Sequence, residues 1–298
     1  MESKKIMGVR VDFGMSMDDV VDTIENKLMK DGKNHIICTT NPEFIMDAKN
    51  DEAFRDIINT SSLSVPDGVG VVLAHRYLDE VKNLKKNIFI PFTAFWKGIA
   101  LGIHTFINGG DVLRERISGV DLTYKLCELS SKKGYTIFFL GGRYKNAVGK
   151  FEGGDARDMS IDAAKEMKKL YPGVNIIGAT SKFGRGQEDD QDTLKFINDV
   201  MKKNSIHVID FLFVAYNHNY QEKWIMRNKD KIPAKISIGC GGTFDYIVRN
   251  CSLPTSFYTK KNLGWLYRVL KQPWRAKRVF RAFPLFPMII YLYSLFHK

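Results

Sequence analysis

An acidic side chain between glycines is the best candidate for chemistry in this sequence. Asp67 lies in the run Val65–Gly70 (Val-Pro-Asp-Gly-Val-Gly), where an apolar segment gives way to a helical pattern. Glycines at such a junction let a ligand approach the backbone N–H groups of a helix N-terminus, which bind anions readily. A carboxylate there can act as a general base if its surroundings raise its pKa. Because Pro-Asp-Gly is also an ordinary turn sequence, the run indicates either a catalytic loop or a plain turn.

Four other apolar runs end in polar or glycine-rich segments in the same way. In an open α/β sheet, ligands bind outside the carboxyl ends of the strands. We therefore expect these segments and the Asp67 loop to converge on one crevice. They are Thr39–Glu43, Gly141-Gly142, Asn217–Glu222 and Gly241–Asp245.

The elements that must position these residues follow an α/β pattern. Short β-rich runs alternate with helical patterns over the first 245 residues, which predicts a Rossmann-like, mostly parallel sheet with helices on both faces. We predict a catalytic domain over residues 1–245, with an apolar insertion at about 80–110, and a C-terminal helical, membrane-associating appendage over residues 246–298. The predicted strands are Lys5–Asp12, His35–Thr40, Tyr135–Leu140, Val174–Ala179, Ile206–Ala215 and Lys235–Gly239.

Positive charge is concentrated at the end of the chain. The 298 residues contain 45 Lys and Arg against 33 Asp and Glu, a net charge of +12, yet the stretch from Tyr246 onward has ten cations and no acid. This split predicts a localised anionic partner: a membrane surface, a nucleic acid or a diphosphate substrate. The cations alternate with Leu, Trp and Phe, and no known nucleic-acid-binding motif is present. We therefore expect an anionic membrane surface and diphosphates, and no nucleic acid.

Two apolar segments interrupt the α/β pattern. Phe283–Phe296 has two prolines and is too short to span a bilayer as a helix, but it follows a helical pattern with a basic face and suits shallow insertion. The alternative is a docking helix that covers a groove on the core. Ile88–Ile107 has the length of a membrane span but contains a proline, a lysine and a histidine. It is predicted to be an amphipathic or re-entrant membrane-contacting segment, or a buried helix pair.

Several protein classes are disfavoured. Cys38, Cys127, Cys240 and Cys251 form no C-x-x-C pair, so we predict reduced thiols in a cytosolic setting. The N-terminal residues lack the apolar core of a signal peptide, and no secretion is expected. No G-x-G-x-x-G opens a first helix, which argues against a nicotinamide-dependent oxidoreductase. No D-x-D stands where a metal-dependent transferase would hold Mg²⁺, so the protein itself would have to supply cations for a diphosphate.

Seven short motifs occur in order over roughly residues 5–281. Each is weak alone, and their combination is specific. They are Thr39-x-Asn41-x-Glu43; Pro66-Asp67-Gly68-x-Gly70-Val71-Val72 with Arg76; Arg116-x-x-Gly119-x-Asp121-Leu122; Phe138-Phe139-Leu140-Gly141-Gly142; Gln221-Glu222-Lys223-Trp224; Gly239-x-Gly241-Gly242-x-Phe244-Asp245; and Leu263-Gly264-Trp265-Leu266-Tyr267-Arg268.

Together these motifs resemble the WecG/TagA/CpsF glycosyltransferases. The resemblance implies an inverting enzyme that moves a hexosamine-type sugar, N-acetylmannosamine in the teichoic-acid branch, from a UDP-sugar donor. The acceptor would be the 4-hydroxyl of N-acetylglucosamine on an undecaprenyl-diphosphate lipid. It also implies that no metal or other cofactor is needed, and that the enzyme is peripheral, on the cytoplasmic face of the cell membrane. A homo-oligomer stays open, because cores of this family can self-associate through the surface that the appendage would cover.

The resemblance also gives the candidate residues their roles. Asp67 would be the catalytic base, removing the proton of the acceptor hydroxyl in a single displacement that inverts configuration. Arg268, Arg275 and Arg278 match the appendage arginines of the family, whose guanidinium groups can stabilise charge on the leaving UDP. The remaining candidates would hold the substrates: Thr39, Asn41, Gln221 and Arg76 the sugar and acceptor, and Gly141, Gly142, Gly241 and Asp245 the nucleotide.

Simpler structural roles remain for three of these residues. Asn41 can cap the helix after it, Gln221 can be an N-terminal helix residue, and Asp245 can cap backbone amides. Departures from the family pattern also leave the donor open. Asn217–Tyr220 replaces a usual Gly-x-Pro, and the apolar insertion adds some twenty-five residues, which suggests a second membrane contact. The same reaction with a different UDP-hexose or uronic-acid donor is therefore the alternative, and a basic non-enzymatic membrane or nucleic-acid-binding protein is a remote one.

Overall fold

A parallel six-stranded sheet forms the centre of the fold. The structure, a computed structural model, describes residues 1–84, 88–108, 110–144, 157–248 and 276–296. The strands are β1 Glu2–Ile6, β2 Val9–Phe13, β3 His35–Thr40, β4 Leu63–Pro66, β5 Thr136–Gly141, β6 Asn175–Thr180, β7 Ile209–Ala215 and β8 Ala234–Gly239. The last six form one sheet in the order β4-β3-β8-β7-β5-β6, with parallel neighbours, while β1 and β2 form an antiparallel hairpin.

Helices connect the strands and cover the sheet. Polar caps begin several of them; for example, Ser16 and Asp19 form a reciprocal capping box at the first helix. The helices are α1 Met17–Asn26, α2 Pro42–Ala48, α3 Glu52–Thr60, α4 Val69–Lys82, α5 Ile90–Asn108, α6 Gly110–Glu115, α7 Gly119–Lys133, α8 Met159–Leu170, α9 Asp190–Lys203, α10 Tyr220–Asn228, α11 Thr243–Ile247, α12 Ala276–Phe280 and α13 Phe286–Phe296.

Both faces of the sheet are buried. Along β5, Phe138 and Leu140 join one hydrophobic cluster while Ile137 and Phe139 join another on the opposite face. Successive side chains of a strand point to opposite faces, so this alternation requires helices on both sides. The predicted α/β class, with a mostly parallel sheet between helical layers, is confirmed.

Two strand predictions need correction. Lys5–Asp12 is not one strand, because Met7 and Gly8 have positive φ angles (52° and 83°) and turn the chain back between β1 and β2. The short strand β4 is missing from the predicted set, although it pairs with β3 from Ile37↔Leu63 to Thr40↔Pro66. β4 places the loop that contains Asp67 at the same edge of the sheet as the loop after β3.

The apolar insertion forms one continuous helix, α5. The buried helix pair considered for Ile88–Ile107 is wrong, because Phe92 (66% exposed) and Trp96 (53%) face solvent. Its inner side packs on α4, where Ala94 is fully buried and Gly98 lies against Tyr77. The proline that counted against a membrane span stands in the first turn, where a missing N–H costs nothing.

The C-terminal segment is both apolar and docked. Within the described residues, Ala276–Phe296 is the one helical stretch long and apolar enough to cross a membrane, although its backbone leaves the helical conformation at Phe283. One face of α13 packs on the core through Phe286 and Ile290, as the docking-helix alternative predicts, while Met288 and Leu292 on the other face are exposed. The predicted boundary between residues 245 and 246 stays a prediction, because residues 249–275 lie outside the described ranges.

Candidate active site

The loops after the strands meet at one edge of the sheet. The Asp67 N–H donates to the Thr40 carbonyl at 2.8 Å, which ties the β4 loop to the end of β3. The Gly142 N–H donates to the Ala215 carbonyl at 2.9 Å and ties the β5 loop to the end of β7. These backbone bonds follow from parallel pairing, because parallel strands end at the same edge. They bring the predicted polar segments together.

The Asp67 loop lies half-buried between the ends of β3 and β4. The Ile117 N–H donates to the Pro66 carbonyl at 2.9 Å and holds the loop from the side of α7. α4 begins immediately after the loop, and the Pro42 ring lies within 3.2 Å of the position that a side chain on Gly70 would occupy. Asp67 therefore directly precedes the N-cap of a helix, as the sequence predicts, and it has interactions of its own.

Thr39 and Asn41 flank this loop on the β3 side, with structural contacts. Thr39 is buried, and its hydroxyl lies 3.1 Å from the position of a Cβ on Gly119. The Asn41 side chain caps α2, since its Oδ1 accepts the N–H groups of Glu43 at 2.9 Å and Phe44 at 3.2 Å. The alternative role of Asn41 as a helix cap is thus confirmed. Substrate contact by either residue stays a prediction.

Gln221 lies in the first turn of α10 and belongs to a buried network. Its Oε1 accepts the N–H of Gly241 at 2.9 Å, and its Nε2 donates to Glu222 Oε1 at 2.7 Å. The other Glu222 oxygen accepts the Asn219 N–H at 2.7 Å. Burial raises the pKa of Glu222 to about 7, and the hydrogen bond from Gln221 opposes this shift. The pair fixes the loop after β8, and the predicted substrate contact of Gln221 stays untested.

The raised pKa of Glu222 predicts a dependence of stability on pH. An acid that binds its proton more tightly in the folded state makes the free energy of unfolding fall as pH rises from its unfolded pKa, 4.5, to its folded pKa, about 7. Across this window we expect the free energy of unfolding of wild type to fall by up to about 3 kcal/mol relative to that of Glu222→Gln, which has no charge to bury. Urea unfolding of both proteins at about pH 5 and about pH 8 measures the difference. A wild-type-minus-variant difference that does not change with pH would contradict the buried charge.

An open cleft lies at the other half of the same edge. Gly141 and Gly142, both at φ 85°, begin the turn that forms its floor, and a side chain at Gly141 would come within 2.8 Å of the Tyr216 ring. Arg143 and Arg185 also line the cleft. The Arg185 guanidinium stacks 3.4 Å over the Tyr220 ring and donates to the Tyr216 carbonyl at 3.3 Å. Two cations at glycine-lined backbone suit a diphosphate.

Arginines of the C-terminal segment reach this edge through acids of α2. Arg278 forms an ion pair with the buried Glu43, two residues after Asn41. Arg281 pairs with Asp47, which also accepts from His218 Nε2 at 2.8 Å. Burial alone would raise the pKa of Asp47, but the hydrogen bonds from His218 and Arg281 hold it below its ordinary value. The described part of the C-terminal segment, from Ala276 onward, is therefore docked beside the Asp67 loop.

The other predicted site residues are placed less directly. Arg76 lies two turns into α4 and pairs with Glu115 of α6 at 2.6 Å. Asp245 stands half-exposed in the first turn of α11, in contact with other groups. Arg268 and Arg275 lie outside the described residues, so their predicted roles stay predictions. Nowhere in the described ranges do three His, Cys, Asp or Glu side chains cluster so as to hold a metal ion.

Sequence reasoning missed four residues that shape this edge: Glu43, Glu222, Arg143 and Arg185. Glu43 and Glu222 were present in the quoted motifs without a role, since nothing in a single sequence says that a glutamate is buried. Arg143 directly follows Gly141-Gly142, so an arginine after a glycine-rich strand end was a usable signal. Arg185, by contrast, comes from the loop after β6, which carried no motif.

Known proteins similar to this chain share one reaction in their names. The profile of the family described as "Glycosyl transferase WecG/TagA/CpsF family" matches residues 4–97 and 96–298. An N-acetylglucosaminyldiphosphoundecaprenol N-acetyl-beta-D-mannosaminyltransferase of Bacillus subtilis (strain 168) is 25% identical over 264 residues, covering 89% of this chain and 82% of that protein. The enzyme of that name from Staphylococcus aureus (strain MRSA252) is 23% identical over 282 residues, covering 94% and 89%. Because the profile match extends over nearly the whole length, the chain belongs to the WecG/TagA/CpsF family of glycosyltransferases.

Proposed function

We propose that this glycosyltransferase moves an N-acetylmannosamine-type hexosamine from a UDP-sugar to the 4-hydroxyl of N-acetylglucosamine on an undecaprenyl-diphosphate lipid. The observation that supports this proposal most is the position of Asp67, which is half-buried before a helix N-terminus with the C-terminal arginines Arg278 and Arg281 docked beside it. The names of the two relatives support the acceptor and the sugar. Such a reaction serves the synthesis of a cell-surface polysaccharide or teichoic acid.

In the proposed mechanism, Asp67 accepts the proton of the acceptor hydroxyl as that oxygen attacks the anomeric carbon of the donor. The bond to the nucleotide diphosphate breaks in the same step, and UDP leaves with both electrons of that bond. Attack from the opposite face inverts the configuration. General base catalysis of this kind contributes about a hundredfold to ten-thousandfold to a rate.

The protein's own cations would stabilise the leaving diphosphate, and no metal is needed in this mechanism. Arg143 and Arg185 in the cleft beside Gly141 and Gly142 are placed to hold the nucleotide side of the donor. Arg278 would act from the side of Asp67, and the resemblance to the family assigns the same chemistry to Arg268 and Arg275. Guanidinium groups form paired hydrogen bonds with phosphate oxygens and keep their charge at any relevant pH.

The place of Arg185 in the cleft predicts a binding defect. Arg185→Ala should raise the KM for the UDP-sugar by about tenfold to a hundredfold and leave kcat closer to wild type, because a charge-assisted hydrogen bond contributes roughly 1.5–3 kcal/mol. Steady-state kinetics with varied donor measure the two constants separately. Lys182→Ala, a charge removal at an exposed position of the same loop, is the matched control. Equal KM values for the two variants would remove Arg185 from the donor site.

The proposed location is the cytoplasmic face of the cell membrane, with peripheral attachment. A lipid-linked acceptor presents its sugar at the bilayer surface, and the ten cations after residue 245 favour an anionic surface. The exposed apolar face of α13 suits insertion into the lipid interface.

A donor screen tests the proposed function. The purified chain is incubated with a lipid-diphosphate-linked N-acetylglucosamine analogue and, in turn, the UDP forms of N-acetylmannosamine, N-acetylglucosamine, glucose and a uronic acid. We expect sugar transfer with UDP-N-acetylmannosamine and with none of the other donors, and we expect it to persist when EDTA is present. Transfer from another donor would leave the reaction type standing and replace the sugar. No transfer from any donor would overturn the proposal.

A further inference from the structure

We propose that α5 and α13 together form one membrane-inserting surface, which we call the apolar platform, and that α5 is its larger half. Its occupant is the hydrocarbon edge of an anionic lipid bilayer. The proposal rests on the proposed function in one respect only, namely that the enzyme acts at a membrane surface. Vesicle binding and sugar transfer are separate measurements, so either idea can fail alone.

The outer face of α5 is a continuous stripe of large apolar side chains. Phe92, Trp96, Ile99 and Ile103 follow one another at helical spacing and are 66%, 53%, 41% and 56% exposed. Ile107, one turn further, is 70% exposed. Monomeric soluble proteins rarely leave such a contiguous patch in water, because each such residue forgoes roughly 1.5–3 kcal/mol of burial. The stripe therefore needs an apolar partner.

α13 continues the same surface. Met288, Leu292 and Phe296 are spaced by four residues and are also exposed. Phe95 of α5 meets Tyr291 of α13 edge to face, with ring centroids 6.1 Å apart. The Tyr291 hydroxyl donates to the Pro91 carbonyl at 3.2 Å and joins the two helices.

Both helices turn their inner faces to α4, so both stripes point away from the core. Tyr77 of α4 lies between them: its ring packs against Gly98, and its hydroxyl is 3.1 Å from Ser294 Oγ. Phe286, the first residue of α13, lies against Gly70 near the Asp67 loop. A bilayer on the platform would therefore place the mouth of the crevice close to the lipid surface.

Charge identifies a bilayer as the occupant. No acid occurs from Ile88 to Gly110 or from Tyr246 to the end of the chain, the two segments that supply the platform. The one lysine of α5, Lys97, lies within the helix and pairs with Glu80 of α4 at 3.2 Å, whereas Lys277 is exposed on α12. Aromatic and aliphatic side chains bordered by cations are the pattern of helices that lie in an anionic lipid interface. A second copy of this cationic segment would repel the first.

Spin labels measure insertion directly. A nitroxide is attached at Ile103→Cys on α5, and as a matched control at Ile161→Cys, an equally apolar and 41% exposed position on α8, both with Cys251 replaced by serine. On vesicles of equimolar phosphatidylglycerol and phosphatidylcholine, the Ile103 label should become accessible to oxygen and shielded from a water-soluble nickel complex. The Ile161 label should stay accessible to nickel. An Ile103 label that stays nickel-accessible on bound protein would overturn the proposal.

Vesicle partitioning provides the second arm. Phe92→Ser/Trp96→Ser/Ile103→Ser should bind the same vesicles about a hundredfold more weakly or worse, since three apolar insertions are lost. Ile161→Ser/Leu170→Ser on α8 should bind like wild type. Equal binding of all three proteins would show that the C-terminal segment anchors the enzyme alone. The third outcome is a stable dimer in solution that the α5 substitutions break while vesicle binding is unchanged. This result would assign the α5 stripe to a second copy of the chain and overturn the proposal that a bilayer covers it.

Discussion

Asp67→Asn is expected to lower the rate of sugar transfer by about a thousandfold. The asparagine amide keeps the shape of the carboxylate but cannot accept the proton of the acceptor hydroxyl. The substitution keeps the Asp67 backbone N–H, which holds the loop to the Thr40 carbonyl, and it keeps the size of the side chain, so we expect the fold to survive. Initial rates with the lipid-diphosphate acceptor measure the effect, and calorimetry measures UDP binding, which should be unchanged.

Asp79→Asn is the matched control for this substitution. It removes a carboxylate from α4, the helix that follows the Asp67 loop, at a position 53% exposed and about three turns from the strand ends. Its transfer rate should equal that of wild type. If Asp67→Asn turned over at a near-normal rate while folding normally, Asp67 would be a turn residue and the base would have to be sought elsewhere at this edge.

Arg278→Ala is expected to lower transfer by about a hundredfold, mainly in kcat. Two effects combine in this prediction. The leaving diphosphate loses a guanidinium group. The buried Glu43 carboxylate loses its nearest partner and keeps only the longer contact to Arg281, 4.0 Å away, which weakens docking of the C-terminal segment. Donor and acceptor kinetics measure the first effect, and limited proteolysis of the C-terminal segment measures the second.

Glu43→Gln separates docking from catalysis. It removes the ion pair and keeps the cation, so the segment should become more sensitive to protease while the rate falls less than in Arg278→Ala. Arg281→Ala, which removes the arginine partner of Asp47 and leaves its His218 contact, is the neighbouring control and should affect docking more than kcat. Equal losses of rate in Arg278→Ala and Glu43→Gln, with equal protease sensitivity, would make Arg278 a docking residue only.

The sheet and its functional edge were predictable because they depend on local pattern. Alternating apolar runs indicated the central strands, and polar residues at their ends indicated loops that meet, since parallel strands end together. β3 and β5 followed this pattern closely. β4 was harder to recognise as a strand, because it has only four residues and ends in a proline. The N-terminal hairpin was missed because its turn, Met7-Gly8, has no Asn-Gly or Asp-Gly signal.

The contacts of the site were less predictable, because they join residues far apart in the chain. Nothing local indicates that Glu43 pairs with Arg278, or that Gln221 holds the N–H of Gly241 and so serves the loop after β8. The excess of cations in the C-terminal segment predicted an anionic partner outside the chain. The structure shows that Arg278 and Arg281 also have carboxylate partners within the chain, on α2. Exposure is equally non-local: the apolar content of α5 was evident, but its outward stripe depends on which face α4 covers.

The anomeric configuration of the product tests the central claim most directly. The claim is that one base, Asp67, drives a single displacement at this edge of the sheet. After reaction of an α-linked UDP-hexosamine with the lipid-linked N-acetylglucosamine analogue, NMR of the purified disaccharide should show a β linkage to the 4-hydroxyl, and Asp67→Asn should form almost none of it. A product with retained α configuration would contradict the account, because retention requires a mechanism other than a single direct displacement.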